Sequence, residues 1–145
     1  MRKGKRVVVC GSFEILHPGH IHLIREASKY GSVVVVVARD STIRAVKGRE
    51  PVVPEEQRLF MVKSVKWVDD AVLGSEEGDK LKVIEELKPD VILLGPDQDY
   101  DPEELRRELK ARGLNVKVLK LKSLFSGFPL CKTSRIIERI LTVCS

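Results

Sequence analysis

Cysteine is scarce in this chain: Cys10, Cys131 and Cys144 are the only three in 145 residues, and no two stand at CxxC spacing. So small and scattered a set offers no disulfide framework, and reduced thiols are expected. Cys10 reads as a buried strand residue; Cys131 and Cys144 flank the last helical pattern, where structural and functional roles both stay open. Long apolar runs are missing as well. The stretch 33–37 is too short to span a bilayer. The basic start before Gly11 leads into a strand rather than a secretory segment, so a cytoplasmic protein with no membrane partner is expected. The dinucleotide fingerprint GxGxxG and the P-loop GxxxxGK(S/T) do not occur, which sets aside a nicotinamide dehydrogenase and a P-loop kinase. Asn occurs once and Gln twice while 32% of residues are charged, a balance that fits a protein from a hot environment.

Positive charge is in excess without being concentrated. The formal charge is +5 and the pI near 9.2, yet acidic residues are interspersed throughout and no basic stripe carries interleaved aromatics. Nucleic acid is therefore not an expected partner. Polyphosphate substrates account for the excess more simply.

Apolar runs alternate with helical patterns. Strands are expected over 6–10, 32–38, 71–73, 91–94 and 116–119, and helices over 20–30, 54–67, 79–88, 102–112 and 133–143. Pro54 and Pro102 suit a first helical turn, Asp101 an N-cap and Gly113 a C-cap. Strand and helix in strict alternation imply an α/β domain over 1–145 with a parallel sheet covered on both faces. Residues at the carboxyl ends of its strands should then converge on one site. No linker, internal repeat or low-complexity segment divides the chain.

The most informative of those strand ends is Gly11-Ser12-Phe13-Glu14-Ile15-Leu16-His17-Pro18-Gly19-His20, directly behind Val7-Val8-Val9-Cys10. A glycine turn between strand and helix puts two imidazoles where phosphates bind, with Gly19 allowing close backbone approach and the helix mouth adding its dipole. A zinc site is the alternative for paired histidines, but no third ligand stands at metal-site spacing. His22 lies outside the motif and reads as surface or structural.

Other strand ends add cations and hydroxyls. After the second strand, the loop and short helix 41–49 carry Arg44, Lys47 and Arg49. After the fourth comes Leu94-Gly95-Pro96-Asp97-Gln98, where Gly95 permits a tight turn and Asp97 is either a hydrogen-bond acceptor for ribose or base or an ordinary turn former. At the last helix, Ile136, Ile137 and Ile140 make an inward face. Thr133 and Ser134 read as its caps or, with Arg135, as a receptor for the departing β- and γ-phosphates.

The segment Gly11 to His20 resembles the GTFDxxHxGH signature of the HxGH nucleotidyltransferases, which join a nucleotide to a phosphorylated acceptor with loss of pyrophosphate. That resemblance implies a single-domain, Rossmann-like five-stranded parallel sheet. It implies catalytic roles for His17, His20, Lys47 and Arg135, and nucleotide binding by Gly11, Ser12, Phe13, Pro18, Gly19, Gly95, Asp97, Thr133 and Ser134. No metal-ligating residue of the protein is implied; a magnesium ion would travel with the triphosphate. Taken with Val37-Ala38-Arg39-Asp40, Pro54-Glu55-Glu56-Gln57-Arg58 and the turn after the fourth strand, the chain is most similar to the archaeal FAD synthases. ATP would then donate AMP to FMN, with Phe125 and Phe128 either stacking on the isoalloxazine or lying in the core. Relatives often form dimers, so a homodimer is an open expectation. Ser12 and Glu14 stand where the family usually shows Thr and Asp. A glycerol-3-phosphate cytidylyltransferase and a non-catalytic nucleotide-binding module on the same fold are the alternatives.

Overall fold

The computed structural model describes residues 4–76 and 78–145. Its centre is β1 (Arg6–Gly11), flanked by β2 (Ser32–Val37) and β4 (Val91–Leu94), with β3 (Asp70–Leu73) and β5 (Lys117–Lys120) at the edges. The order is β3-β2-β1-β4-β5 and all pairings are parallel, Val8 lying beside Val34 on one side and Ile92 on the other. The unbroken valine runs follow from this placement, because both faces of each central strand are buried. Val7, Val9, Val33, Val35 and Val37 pack with Ile24 and Ala27 of α1 (Pro18–Ala27) and Val62 of α3 (Glu55–Lys63). Val8, Val34, Val36, Ile92 and Leu94 pack on the opposite face with Ile84 of α4 (Lys82–Leu87) and Leu105 and Leu109 of α5 (Pro102–Ala111). The chain reverses its lateral direction between β1 and β4, so a crevice opens at their carboxyl ends.

The helix boundaries shift for local reasons. The first helix begins at Pro18, not residue 20, because proline fits N1 and His17 acts as the N-cap. α3 stops at Lys63, short of Trp67, which packs partly buried against the core. The cationic segment after β2 is a helix, α2 (Asp40–Lys47), ended by Gly48 at φ +67. Asp101 caps α5 by accepting from the Glu103 N–H at 3.2 Å, and Gly113 lies just past its C-cap at φ +84.

The last helix, α6 (Thr133–Val143), keeps its expected bounds but not its expected packing. Its N-cap is Lys132, with no capping side-chain hydrogen bond, so Thr133 and Ser134 are its first helical residues and not its caps. Ile136 and Ile137 are half-buried whereas Ile140 is 49% exposed, so the expected inward face is only partly covered. Among the described residues no helix is long and apolar enough to cross a membrane.

Candidate active site

The β1 end forms the floor of the crevice. A Cβ on Gly11 would lie 2.9 Å from the Phe13 ring, so the glycine makes room for that side chain. Phe13 itself is 2% exposed, takes the left-handed φ of +49, and sets its ring 4.9 Å from that of His20. Gly11 and Phe13 therefore shape and support the site from beneath.

His17 and His20 hold each other. The N–H groups of Gly19 and His20 donate to His17 Nδ1 at 3.1 and 3.4 Å, and the His17 N–H donates to His20 Nδ1 at 3.3 Å. This is a capping box built from imidazoles in place of a hydroxyl and a carboxamide. A nitrogen that accepts an N–H bond carries no proton, so in each neutral ring the proton sits on Nε2, which becomes a donor. Burial is the main cause that pushes His20 down to about 3, assisted by the neighbouring His17 and Lys47. Burial also lowers His17 against the opposing pull of Asp97. The rings stack with centroids 3.6 Å apart, and both are neutral at physiological pH. The amides of Gly19 and His20, expected to face phosphate, instead donate to the His17 cap.

Gly19 has a different neighbour from the one its motif suggests. A Cβ there would lie 2.7 Å from the carbonyl oxygen of Cys131 and 2.9 Å from the His17 ring. The missing side chain lets the segment entering α6 press against the mouth of α1, bringing Thr133, Ser134 and Arg135 to the same end of the sheet as the histidines. The Arg135 side chain is exposed, with no side-chain hydrogen bond or ion pair among the described residues. Pro18 starts α1 and lines an open cleft beside His17.

On the β4 side, the Gly95 N–H donates to Gln98 Oε1 at 2.6 Å while Gln98 Nε2 donates to the Cys10 carbonyl at 3.1 Å. Gln98 thus clamps the ends of β4 and β1 together. Asp97 is exposed and close enough to His17 to act on its charge. Cys10, near the end of β1, is pushed up to about 12 by burial and is an inert thiol. Cys131 donates to the Phe128 carbonyl at 3.0 Å, and all three cysteines are free.

On the β2 side, Lys47 of α2 reaches Ser12 Oγ at 3.4 Å and Glu14 Oε2 at 2.9 Å. Arg49 also binds Glu14, whereas Arg44 pairs with Glu50 on the surface. Sequence reasoning assigned no role to Arg58, which is 1% exposed. Its guanidinium donates to the carbonyls of Ser12 (2.8 Å), Ala38 (2.6 Å) and Val53 (2.8 Å) and to Asp40 Oδ1 (2.7 Å), tying together the ends of β1 and β2. A full set of partners is what makes so buried a charge tolerable. Arginine directly after the Pro54-Glu55-Glu56-Gln57 helix start was visible in sequence, but its carbonyl partners leave no mark on residue identity.

The cleft beside His17 has a volume of about 500 Å³ and is lined by Leu16, Pro18, Ile21, Trp67, Phe125 and Phe128 among others. Phe125 is stacked on His22 at 4.9 Å, which gives His22 a structural role, while Phe128 is 61% exposed.

These features define a class: the chain belongs to the cytidylyltransferase-like family, whose model matches residues 8–139. Within it the chain is similar to FAD synthases. That of Pyrococcus horikoshii is 48% identical over 136 residues, with 93% of this chain and 91% of the relative covered. That of Methanothermus fervidus is 49% identical over 134 residues, with 90% of each covered. Among solved structures, a lipopolysaccharide core biosynthesis protein from Thermoplasma volcanium has a TM-score of 0.79 at 45% identity, over 84% of this chain and 98% of its own. A pantoate-beta-alanine ligase from Francisella tularensis, at 20% identity and TM-score 0.59 over 95% of this chain and 66% of its own, shares the fold alone.

Proposed function

We propose that this chain is an FAD synthase, joining the AMP part of ATP to FMN with release of pyrophosphate. The observation that carries the reading is alignment with FAD synthases over nine-tenths of the chain. A phosphate oxygen of FMN attacks the α-phosphorus of ATP, a new P–O bond forms, the bond to the β-phosphate oxygen breaks, and pyrophosphate leaves with the electron pair. The attacking phosphate is already ionised, so the site needs no general base. It needs alignment and donors for charge on the α-phosphoryl oxygens. The Nε2–H groups of His17 and His20 are suited to that charge, being fixed in tautomer and neutral. Lys47, Arg135 and the hydroxyls of Thr133 and Ser134 meet the remaining phosphates, and Gly95 and Asp97 border the nucleoside.

Magnesium would neutralise charge on the triphosphate. We propose that the ion is brought by the triphosphate rather than held by a resident site of the protein. Phe128 offers an exposed face for a flat ring, whereas Phe125 is already stacked on His22. We also place the enzyme in the cytoplasm, acting on small molecules and not nucleic acid.

The test offers ATP and CTP, each with FMN, glycerol phosphate and choline phosphate, and measures pyrophosphate. FAD from ATP and FMN, with CTP much poorer, is expected. CDP-glycerol from CTP without FAD from ATP would overturn the flavin assignment while leaving the reaction type intact.

A further inference from the structure

Glu14 stands in the motif where a shorter carboxylate is usual, and its surroundings make use of the extra length. Its side chain is 0% exposed, and four donors meet it. Lys47 Nζ and Arg49 reach Oε2 at 2.9 and 2.7 Å, while Arg49 and the Val52 N–H reach Oε1 at 3.1 and 2.8 Å. The αL turn at Gly48 makes this possible, because it folds the chain back so that the end of α2 and residues 49–52 surround one carboxylate. An aspartate would reach about 1.5 Å less far.

The four donors are not equivalent. Arg49 and Val52 satisfy both oxygens between them, so the carboxylate keeps three bonds if Lys47 withdraws. Lys47 has 37% of its side chain exposed and is also the donor nearest the crevice floor, at Ser12. Burial favours the protonated form of Glu14, but the bonds from Arg49, Lys47 and Val52 outweigh it and hold the group at about 2, so the carboxylate is charged at neutral pH.

We propose that Glu14 is a positioning residue: it parks the Lys47 ammonium beside Ser12, and Arg49 with the Val52 amide anchors the carboxylate when Lys47 turns to a substrate phosphate. The inference rests on the reading that a triphosphate binds in this crevice. It gives Arg49 a role in phosphate binding without contact with phosphate.

The test compares the wild type with Glu14→Gln, Arg49→Ala, Lys47→Ala and the Arg49→Ala/Lys47→Ala pair. Affinity for magnesium-loaded α,β-methylene ATP is measured by calorimetry and turnover by pyrophosphate release. Opposite signs are expected. Glu14→Gln frees Lys47, so the analogue binds as tightly or up to threefold more tightly while kcat falls about tenfold from a misplaced ammonium. Arg49→Ala leaves Lys47 more firmly held by the carboxylate, so affinity weakens several-fold; on the Lys47→Ala background the same substitution adds nothing. Equal weakening by Arg49→Ala with and without Lys47 would mean direct contact with phosphate and would overturn the proposal. So would a folded Glu14→Gln enzyme with wild-type kcat. If Glu14→Gln does not fold, the Arg49 and Lys47 cycle decides alone. Absence of pyrophosphate release by the wild type would sink the proposed function, yet the binding cycle would still report on the parking arrangement.

Discussion

Two helix mouths meet at the carboxyl edge of the sheet, and they are organised in opposite ways. That of α1 is complete in itself: His17 caps the amides of Gly19 and His20, His20 returns an acceptor to His17, and Phe13 supports the stack. That of α6 is incomplete: its N-cap Lys132 makes no side-chain capping bond, Arg135 is exposed, and none of its residues is fully buried. Donors that face the reacting phosphorus gain from being fixed before the substrate arrives, because reorganisation then costs nothing at the moment of reaction. Groups that hold a leaving pyrophosphate must also let it go. A helix start that obtains its cap from the substrate serves that purpose.

The largest expected effect comes from disturbing the finished mouth. His20→Ala should lower kcat by roughly hundred-fold or more with a much smaller change in ATP affinity. His17→Asn, which keeps a capping acceptor but loses the Nε2–H donor, should do the same with little change in melting temperature. Wild-type turnover in either folded variant would remove the catalytic assignment. At the unfinished mouth, Arg135→Ala should raise the KM for ATP about tenfold, as expected for a lost charge-assisted contact of about 1.4 kcal/mol. If KM and kcat both stay unchanged, α6 has no part in nucleotide binding.

Titration sharpens the contrast further. With His20 held at about 3, that ring should contribute no limb to the pH–rate profile near the ordinary histidine value of 6.5, which is checked by comparing the profiles of wild type and His20→Gln. Stability should depend on pH even where rate does not. The unfolded chain takes up a proton at His20 as pH falls below 6.5 while the folded protein does so only near 3, so stability is complete above 6.5 and declines through that window. Glu14, depressed from 4.5 to about 2, acts in the same direction, its contribution on the order of 3 kcal/mol being present above 4.5 and lost as pH falls toward 2. Thermal melts at stepped pH should show the upper part of this decline vanish in His20→Gln. The smallest effect is expected at Leu141 of α6, 66% exposed, where alanine should change stability by less than about 0.5 kcal/mol. A larger loss that varies with protein concentration would mean that a second copy covers this helix.

The contrast also governs what could be read from the sequence. The valine runs and the α1 mouth were legible because their causes are local: apolar residues buried on both strand faces, and a cap whose members lie three residues apart. α6 differs from expectation in packing because a helical apolar stripe predicts a covered face, whereas Ile140 is left 49% exposed by the described residues. Arg58, Gln98 and Glu14 were illegible as a set. Each has backbone partners on segments brought together only by the fold, and a carbonyl at Ser12 or Cys10 or an amide at Val52 is the same whatever the side chain. Gly19 was read as a place where backbone approaches phosphate, whereas the close neighbour the structure shows is the Cys131 carbonyl, more than a hundred residues away in sequence and so beyond any local pattern.

That contact orders the site in time. Pressing the Cys131 carbonyl against Gly19 closes a loop comprising nearly all of the sheet, and the entropy of so long a closure is recovered by a helix that buries little apolar surface. During synthesis, every strand of the sheet has been made before α6 emerges, so the α6 segment meets the α1 mouth only after all five strands are available. The same thin attachment makes the α6 side easier to reopen than the α1 mouth, so amide exchange should be faster over 133–143 than over 18–27.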